Sequence, residues 1–246
     1  MAQNGKHVTL ITGGNSGIGE ALAKRLLARG EPVVSVGLAK PRWTHELLSA
    51  YEVDLTKIDE TRACAAEICE RHPVDRLVHN AGMILPNRLP QAKAEDILTL
   101  AQLHLGAPMI LTQAALKGMQ ERAFGRVVFV SSRAAMGMPS RSAYSSTKSG
   151  VHGLARTWAL ELAPNGITVN VVAPGPVLTD NFWGIVPKGS ELQDNIARTV
   201  PVGRIGQPDD IANAVEFFLS EASSFVTGQV MFVCGGTSLG SSLVPP

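Results

Sequence analysis

The sequence predicts an α/β fold in which a doubly wound, parallel, seven-stranded sheet carries helices on both faces. Short apolar runs alternate with longer stretches of helical period along the 246 residues. The runs are continuously apolar rather than alternating, as in strands covered on both sides. A glycine-rich turn follows the first run and opens the first helix. With right-handed crossovers, these features give one doubly wound domain over residues 1–246.

Residues 7–12 read as the first strand. Residues 17–29 read as a helix with Ile18, Leu22, Leu26 and Leu27 on one face, closed by Gly30. A second strand spans 32–36 and a short third one 51–53. Thr56 is the expected N-cap of a helix running to about Arg71. A fourth strand covers 76–79. The helical stretch 94–122 is expected to break near Gly106-Ala107-Pro108. The fifth strand is 126–130. A long helix over 142–162 ends in the turn Pro164-Asn165-Gly166, and the sixth strand covers 167–172. Pro208 opens a further helix at its first turn, where its missing N–H is harmless. Residues 229–233 make the seventh strand. Residues 180–200 read as a substrate lid and 237–246 as a tail, either disordered or packed on a neighbouring subunit.

Composition narrows the function. The formal net charge is +1 and no basic stripe is visible, so neither nucleic acid nor an anionic membrane finds an electrostatic footprint. No apolar run is expected to reach the roughly 20 residues of a membrane span, and the first residues do not read as a signal peptide. Cys64, Cys69 and Cys234 lack the spacing of a disulfide framework or a metal site, which points to a reducing cytoplasm and no metal. Only 17% of residues are charged, against about 25% in an average soluble domain. An oligomer that buries much of its surface would show this.

Two constellations carry chemistry. Thr12-Gly13-Gly14-Asn15-Ser16-Gly17-Ile18-Gly19 lies between strand and helix. Glycines there let backbone N–H groups approach a pyrophosphate, and the helix N-terminus adds partial positive charge. The second constellation is Ser132, Tyr144 and Lys148. A phenol of pKa about 10 is a poor base at neutral pH, and an ammonium one helical turn away is expected to lower that value. A nearby hydroxyl can hold a substrate oxygen beside the phenol.

Together these residues resemble the short-chain dehydrogenase/reductase family of single-domain, Rossmann-like oxidoreductases. The resemblance continues through Asp54-Leu55, Asn80-Ala81-Gly82, Pro174-Gly175-Pro176-Val177-Leu178-Thr179, Pro201-Val202-Gly203-Arg204, Gly206-Gln207-Pro208, Gly228-Gln229 and Gly235-Gly236. It implies that the turn from Gly13 through Asn15, Ser16, Gly17, Ile18 and Gly19 cradles the pyrophosphate and adenosine side of NAD or NADP. Gly37 and Leu38 would approach the adenosine ribose, Asp54 and Leu55 would meet the adenine, and Asn80, Ala81 and Gly82 would line the cleft. Lys148 would bind the nicotinamide ribose, while Pro174, Gly175, Val177 and Thr179 would hold the nicotinamide. Tyr144 would be the general acid for ketone reduction and the base for alcohol oxidation, with Ser132 on the reacting oxygen. A homotetramer, in some relatives a dimer, is implied through helices around 95–120 and 142–163.

The chain departs from the family pattern in places. His104 stands where an Asn that helps a proton relay is usual; it either serves that relay or only packs. Ser131 competes with Ser132, which better matches the family position. His79 replaces a common Asn, and Cys234 replaces a common Asp. The tip of the second strand carries no acid, with Gly37 at the likely spot and Lys40 and Arg42 nearby, so the balance leans to NADP over NAD. The expected substrate pocket holds Met83, Ser132, Ala134, Met138 and Arg141, with Phe182 and Trp183 from the lid, and favours an apolar or ring-bearing small molecule. Arg133 or Arg141 could anchor an anion, or could be surface residues. The leading reading is an NAD(P)-dependent alcohol dehydrogenase or carbonyl reductase. The alternatives are a 3-oxoacyl-carrier-protein reductase and, from another class, a dinucleotide-binding regulator without turnover.

Overall fold

In the computed structural model, which describes residues 7–239, seven parallel strands lie in the order β3-β2-β1-β4-β5-β6-β7. These are β1 Val8–Thr12, β2 Val33–Gly37, β3 Leu48–Glu52, β4 Val74–His79, β5 Gly125–Val130, β6 Ile167–Pro174 and β7 Val230–Val233. The doubly wound class is as the apolar runs predict. The third strand begins three residues earlier than expected, because Leu48–Glu52 pairs along Val33–Gly37 although its own residues are only partly buried. The tail positions 240–246 lie outside the described residues.

Helices cover both faces. On one face pack α1 (Gly17–Ala28) and α8 (Pro208–Leu219), burying Leu22, Leu26, Ile211, Val215 and Phe218 against Ile11, Val78 and Val128. On the other face lie α2 (Ile58–Arg71), α3 (Ala94–Ala101), α4 (Ala107–Glu121) and α5 (Ser142–Leu162). They enclose Leu10, Ile68, Leu77, Leu111, Met119 and Phe129. Each fully buried aliphatic or Phe side chain contributes roughly 1.5–3 kcal/mol of burial.

Two helix expectations are corrected. Thr56 does not cap α2; Lys57 holds that position, and the Thr56 N–H and hydroxyl both donate to Asp54 Oδ1, at 2.9 and 2.7 Å. The aspartate thus outcompetes the helix for the threonine. The stretch 94–122 does not break at Gly106-Ala107-Pro108. A π-helical turn, Gln102–Gly106, joins α3 to α4, and the Ala107 N–H bonds Gln102 O five residues back. Pro108 has no N–H for the residue-104 carbonyl, and the widened turn absorbs the missing bond.

The joined rod Ala94–Glu121 is also long and apolar enough to cross a membrane by length and composition, contrary to expectation. Here it packs in the protein, burying Leu100, Leu103, Ala107, Leu111, Ala115 and Met119 at helical spacing.

The chain order reverses between β1 and β4, the neighbouring central strands. Open α/β sheets bind ligands beyond the carboxyl ends of strands at such a switch point. The segments that follow β1 through β6 all meet there.

Candidate active site

A cleft of about 620 Å³ opens above the carboxyl edge of the sheet. One end is the glycine turn. The Thr12 hydroxyl accepts the N–H groups of Asn80 (3.0 Å) and Ala81 (2.9 Å), while Asn80 Nδ2 donates to the carbonyls of Thr12 (3.0 Å) and Gly13 (3.2 Å). The loops after β1 and β4 are therefore one unit. Gly13 sits at φ 68°, a left-handed conformation that favours glycine. A Cβ on Gly19 would lie 2.1 Å from Gly13 O, so only glycine lets α1 start this close to the turn. The turn thus presents bare backbone to the cleft at a helix N-terminus, which is the shape a pyrophosphate needs.

The other end holds the reacting groups. Ser132 follows β5, and its oxygen accepts the Ala134 N–H at 3.1 Å. Ser132 lines the same cleft as Tyr144, and its hydroxyl favours the ionised form of that phenol. Ser131 is committed elsewhere: its buried hydroxyl donates to Lys148 O at 2.9 Å and bonds His152 Nε2 at 2.9 Å. Lys148 is 4% exposed and donates to Val130 O at 2.8 Å, with Nζ 5.8 Å from the Tyr144 ring centroid.

The electrostatics differ from the expectation that Lys148 lowers the Tyr144 pKa. Tyr144 is half-buried, yet the protein around its phenol pushes the pKa above its usual value, with Ser132 and the Arg141 charge pulling the other way. Burial also brings Lys148 down to about 7. Desolvation outweighs the one-turn pairing because both groups share the same enclosed region.

His104 lies in the π turn beneath this pair, 3% exposed, its ring edge-on to Tyr144 with centroids 5.7 Å apart. Its Nδ1 is 2.8 Å from Thr147 Oγ1, and that hydroxyl donates to the α5 backbone. Nδ1 must then carry the ring proton, leaving Nε2 as an acceptor. Burial, and then the Lys148 charge, hold the pKa of His104 at about 2, so the ring is neutral. A Cβ on Gly82 would lie 3.2 Å from His104 Nε2 and 3.4 Å from Lys148 Nζ, so both nitrogens face one spot. An adjoining cavity of about 10 Å³ is lined by Thr12, His79, His104 and Lys148. That is about the size of one water. His79 packs 5.0 Å from Phe129, and burial takes its pKa to about 3.

A family model described as enoyl-(acyl carrier protein) reductase matches residues 13–238. The chain belongs to the short-chain dehydrogenase/reductase family. A 3-oxoacyl-(acyl-carrier-protein) reductase of Rickettsia bellii is 34% identical over 92% of this chain and 95% of its own. A (2S)-((R)-hydroxy(phenyl)methyl)succinyl-CoA dehydrogenase subunit of Thauera aromatica is 37% identical over 94% of this chain and 96% of its own. A crystal structure from Beutenbergia cavernae, described as an NAD(P)-dependent gluconate 5-dehydrogenase with NADP bound at low occupancy, superposes with a TM-score of 0.85. It is 30% identical and the match covers 95% of this chain and 97% of that one. The protein is thus a short-chain dehydrogenase/reductase oxidoreductase of a family that binds NAD(P) and acts on small molecules.

Within this dehydrogenase/reductase, the cleft is lined by Gly13, Asn15, Ser16, Gly17, Ile18, Gly37, Leu38, Asp54, Leu55, Asn80, Ala81 and Gly82 at the glycine-turn end. Ser132, Ala134, Arg141, Tyr144, Lys148, Pro174, Gly175, Val177, Thr179 and Phe182 line the remainder. Gly19 is buried in the helix–turn contact rather than lining the cleft, and His104 lies behind the wall. Trp183 also falls outside. Phe182 and Trp183 are consecutive on the short helix α6 (Asp180–Trp183), about 100° apart, so both cannot face one cleft. Phe182 takes the inner side, while Trp183 packs against Phe182 and carries Lys188 Nζ 5.1 Å above its ring. Sequence reading missed Ile84, Asn181, Ile196 and Thr199, which also line the cleft. The last two share a face of the helix α7 (Glu191–Thr199), a signal that the i, i+3 spacing could have supplied.

Proposed function

We propose that the protein transfers a hydride between NAD(P) and a ketone or secondary alcohol, with Tyr144 as the proton donor and acceptor. The observation that supports this best is that Ser132, Tyr144 and buried Lys148 line one end of a cleft whose other end is the glycine turn. The cofactor would supply the hydride and the electron pair. Gly13, Gly17 and Ile18 would hold its pyrophosphate, and Lys148 its nicotinamide ribose. Pro174, Gly175, Val177 and Thr179 would hold the nicotinamide. Ser132 would hold the substrate oxygen against the phenol. Tyr144, kept protonated by burial, suits the acid role at neutral pH. Asn181 Nδ2 donates to Gly82 O at 3.3 Å, which brings the lid segment across the cleft and supports its role in excluding water.

His104 is proposed as a proton-relay residue: its neutral Nε2 faces Lys148 and can accept a proton directly or through a water in the small cavity. NADP is the proposed cofactor. The tip of β2 has no carboxylate to repel a 2′-phosphate, and Lys40 and Arg42 are exposed on the loop beyond it. The resemblance to a structure with NADP bound supports this. The single-domain organisation, the cytoplasm as the place of action and a homotetramer complete the reading.

Reduction of carrier-bound 3-oxoacyl chains is a second reading, favoured by the Rickettsia bellii relative. A panel of ketones, secondary alcohols and 3-oxoacyl thioesters, each with NADPH and NADH, separates the readings. Ketone reduction with a higher kcat/KM for NADPH is expected. Turnover confined to thioesters would favour the second reading, and tight cofactor binding without turnover would favour a regulator.

A further inference from the structure

Arg141 lines the cleft that holds the reacting groups and, among the described residues, has no anionic partner. It is the N-cap of α5, three residues before Tyr144, and side chains at that spacing are neighbours. It lines the same cleft as Ser132 and Tyr144.

The backbone holds it there. Ser140, just before it, adopts φ 62°, a left-handed conformation uncommon for a residue with a Cβ. Such strained positions cluster at ligand clamps and active sites. The Asn87 N–H donates to Ser140 O at 3.1 Å, and Asn87 also forms an isolated parallel bridge with Arg141. Asn87 is tied in turn to α3 through Asp96, at 3.3 Å. The arginine therefore springs from a braced segment rather than from a free loop.

Its guanidinium is underused. Nη1 donates to the carbonyl of its own neighbour Ser140, at 3.1 Å. Among the described residues no carboxylate lies within 4.0 Å, whereas Arg25, Arg29, Arg76 and Arg204 are each paired with one or more. The cleft that it lines carries apolar Met83, Ile84, Met138, Phe182 and Ile185, with Asp180 and Asn181 on the lid side and no ion pair from Arg141 to Asp180 among the described residues. The positive charge of Arg141 acts on the Tyr144 phenol in the direction opposite to the larger effect of burial. A half-buried guanidinium whose N–H donors lack a carboxylate can still take an anion in bidentate fashion.

We propose that Arg141 receives a carboxylate of the substrate, so that the substrate class is a short oxo acid and its hydroxy acid. The carboxylate lies within a few bonds of the reacting carbon, because Arg141 is one helical turn from Tyr144. The planar guanidinium can meet it with two parallel N–H donors, which fixes both distance and orientation. In reduction, the carbonyl carbon gains a hydride from the reduced nicotinamide, which is thereby oxidised. The carbonyl oxygen gains the Tyr144 proton, and the carboxylate is unchanged. This inference rests on the oxidoreductase reading above and names its substrate class.

The test compares kcat/KM for 2-oxo, 3-oxo and 4-oxo acids with their methyl esters, using NADPH and NADH. The wild-type enzyme should prefer at least one acid to its ester by about 100-fold, the scale of one charge-assisted bidentate contact. Arg141→Gln should collapse that ratio to within a few fold, chiefly through KM for the acid, while Arg141→Lys recovers part of it. Thermal melting of both variants checks that the fold is intact. Esters reduced as well as acids by the wild-type enzyme, or an acid preference that survives in Arg141→Gln, overturns the assignment while the hydride-transfer reading stands. No turnover of acid, ester or neutral ketone with either cofactor overturns both.

Discussion

Lys148 concentrates the physics of the site in one side chain. Its ammonium is buried at the sheet edge, and burial lowers its pKa from 10.5 to about 7. Between those values the unfolded chain binds more protons than the folded one, so stability rises with pH across that window. Below about pH 7 the full cost of burying the charge is present. Lys148→Met removes that cost along with the ammonium proposed to hold the nicotinamide ribose. The variant should melt above the wild-type protein at about pH 6, with the difference shrinking as pH rises toward 10.5. A difference that does not change with pH would show that folding leaves the lysine's proton affinity unaltered. The identity of this residue was legible from its spacing after Tyr144. Its electrostatics were not, because a spacing rule says two groups are neighbours and does not say how much water they keep. The same limit explains Tyr144, whose pKa moves upward rather than down.

At the scale of elements, sequence reading did well wherever one strong pattern dominated. Continuous apolar runs located six of the seven strands, while the partly buried third strand was placed three residues late, and the glycine turn located the start of α1, because Gly13 and Gly19 answer local geometric demands. It did less well where two local rules competed. Thr56 satisfies Asp54 instead of a helix end. Pro108 widens a helix instead of ending it, since the flanking turns are held by buried Leu103 and Leu111. Trp183 and Phe182 both suit a pocket, but a helix turn admits one. The π turn also carries the proposed relay residue, and such irregular turns often sit at functional sites. It delivers His104 to Lys148 with its acceptor nitrogen inward. His104→Leu should lower kcat roughly tenfold or more and shift the pH profile, while His104→Asn, which can still donate and accept, should retain most of the rate with a shifted profile. If both variants keep the wild-type rate and profile, His104 only packs.

The whole molecule presents apolar surface that its own core does not cover. Ile97, Leu98 and Met109 are exposed along the α3–α4 rod, and Phe217, Phe225 and Met231 around α8 and β7. Exposed apolar patches of this kind mark association surfaces. They also give a physical reason for the low charged fraction and for a helix apolar enough to pass as a membrane span. The proposed homotetramer predicts a mass of about 104 kDa by light scattering, for four chains of 26.0 kDa. A monomeric mass at micromolar concentration would remove the proposal.

In the proposed reaction the cleft moves a hydride to a carbonyl carbon while Tyr144 supplies the proton. Reduction of a ketone or oxo acid with NADPH carrying deuterium at both nicotinamide C4 positions is the decisive test. Mass spectrometry of the product should find one deuterium on the carbinol carbon, and Tyr144→Phe should lower the rate by about 10²–10⁴ with that label position unchanged. Product without deuterium, or an undiminished rate in Tyr144→Phe, would rule out this reaction.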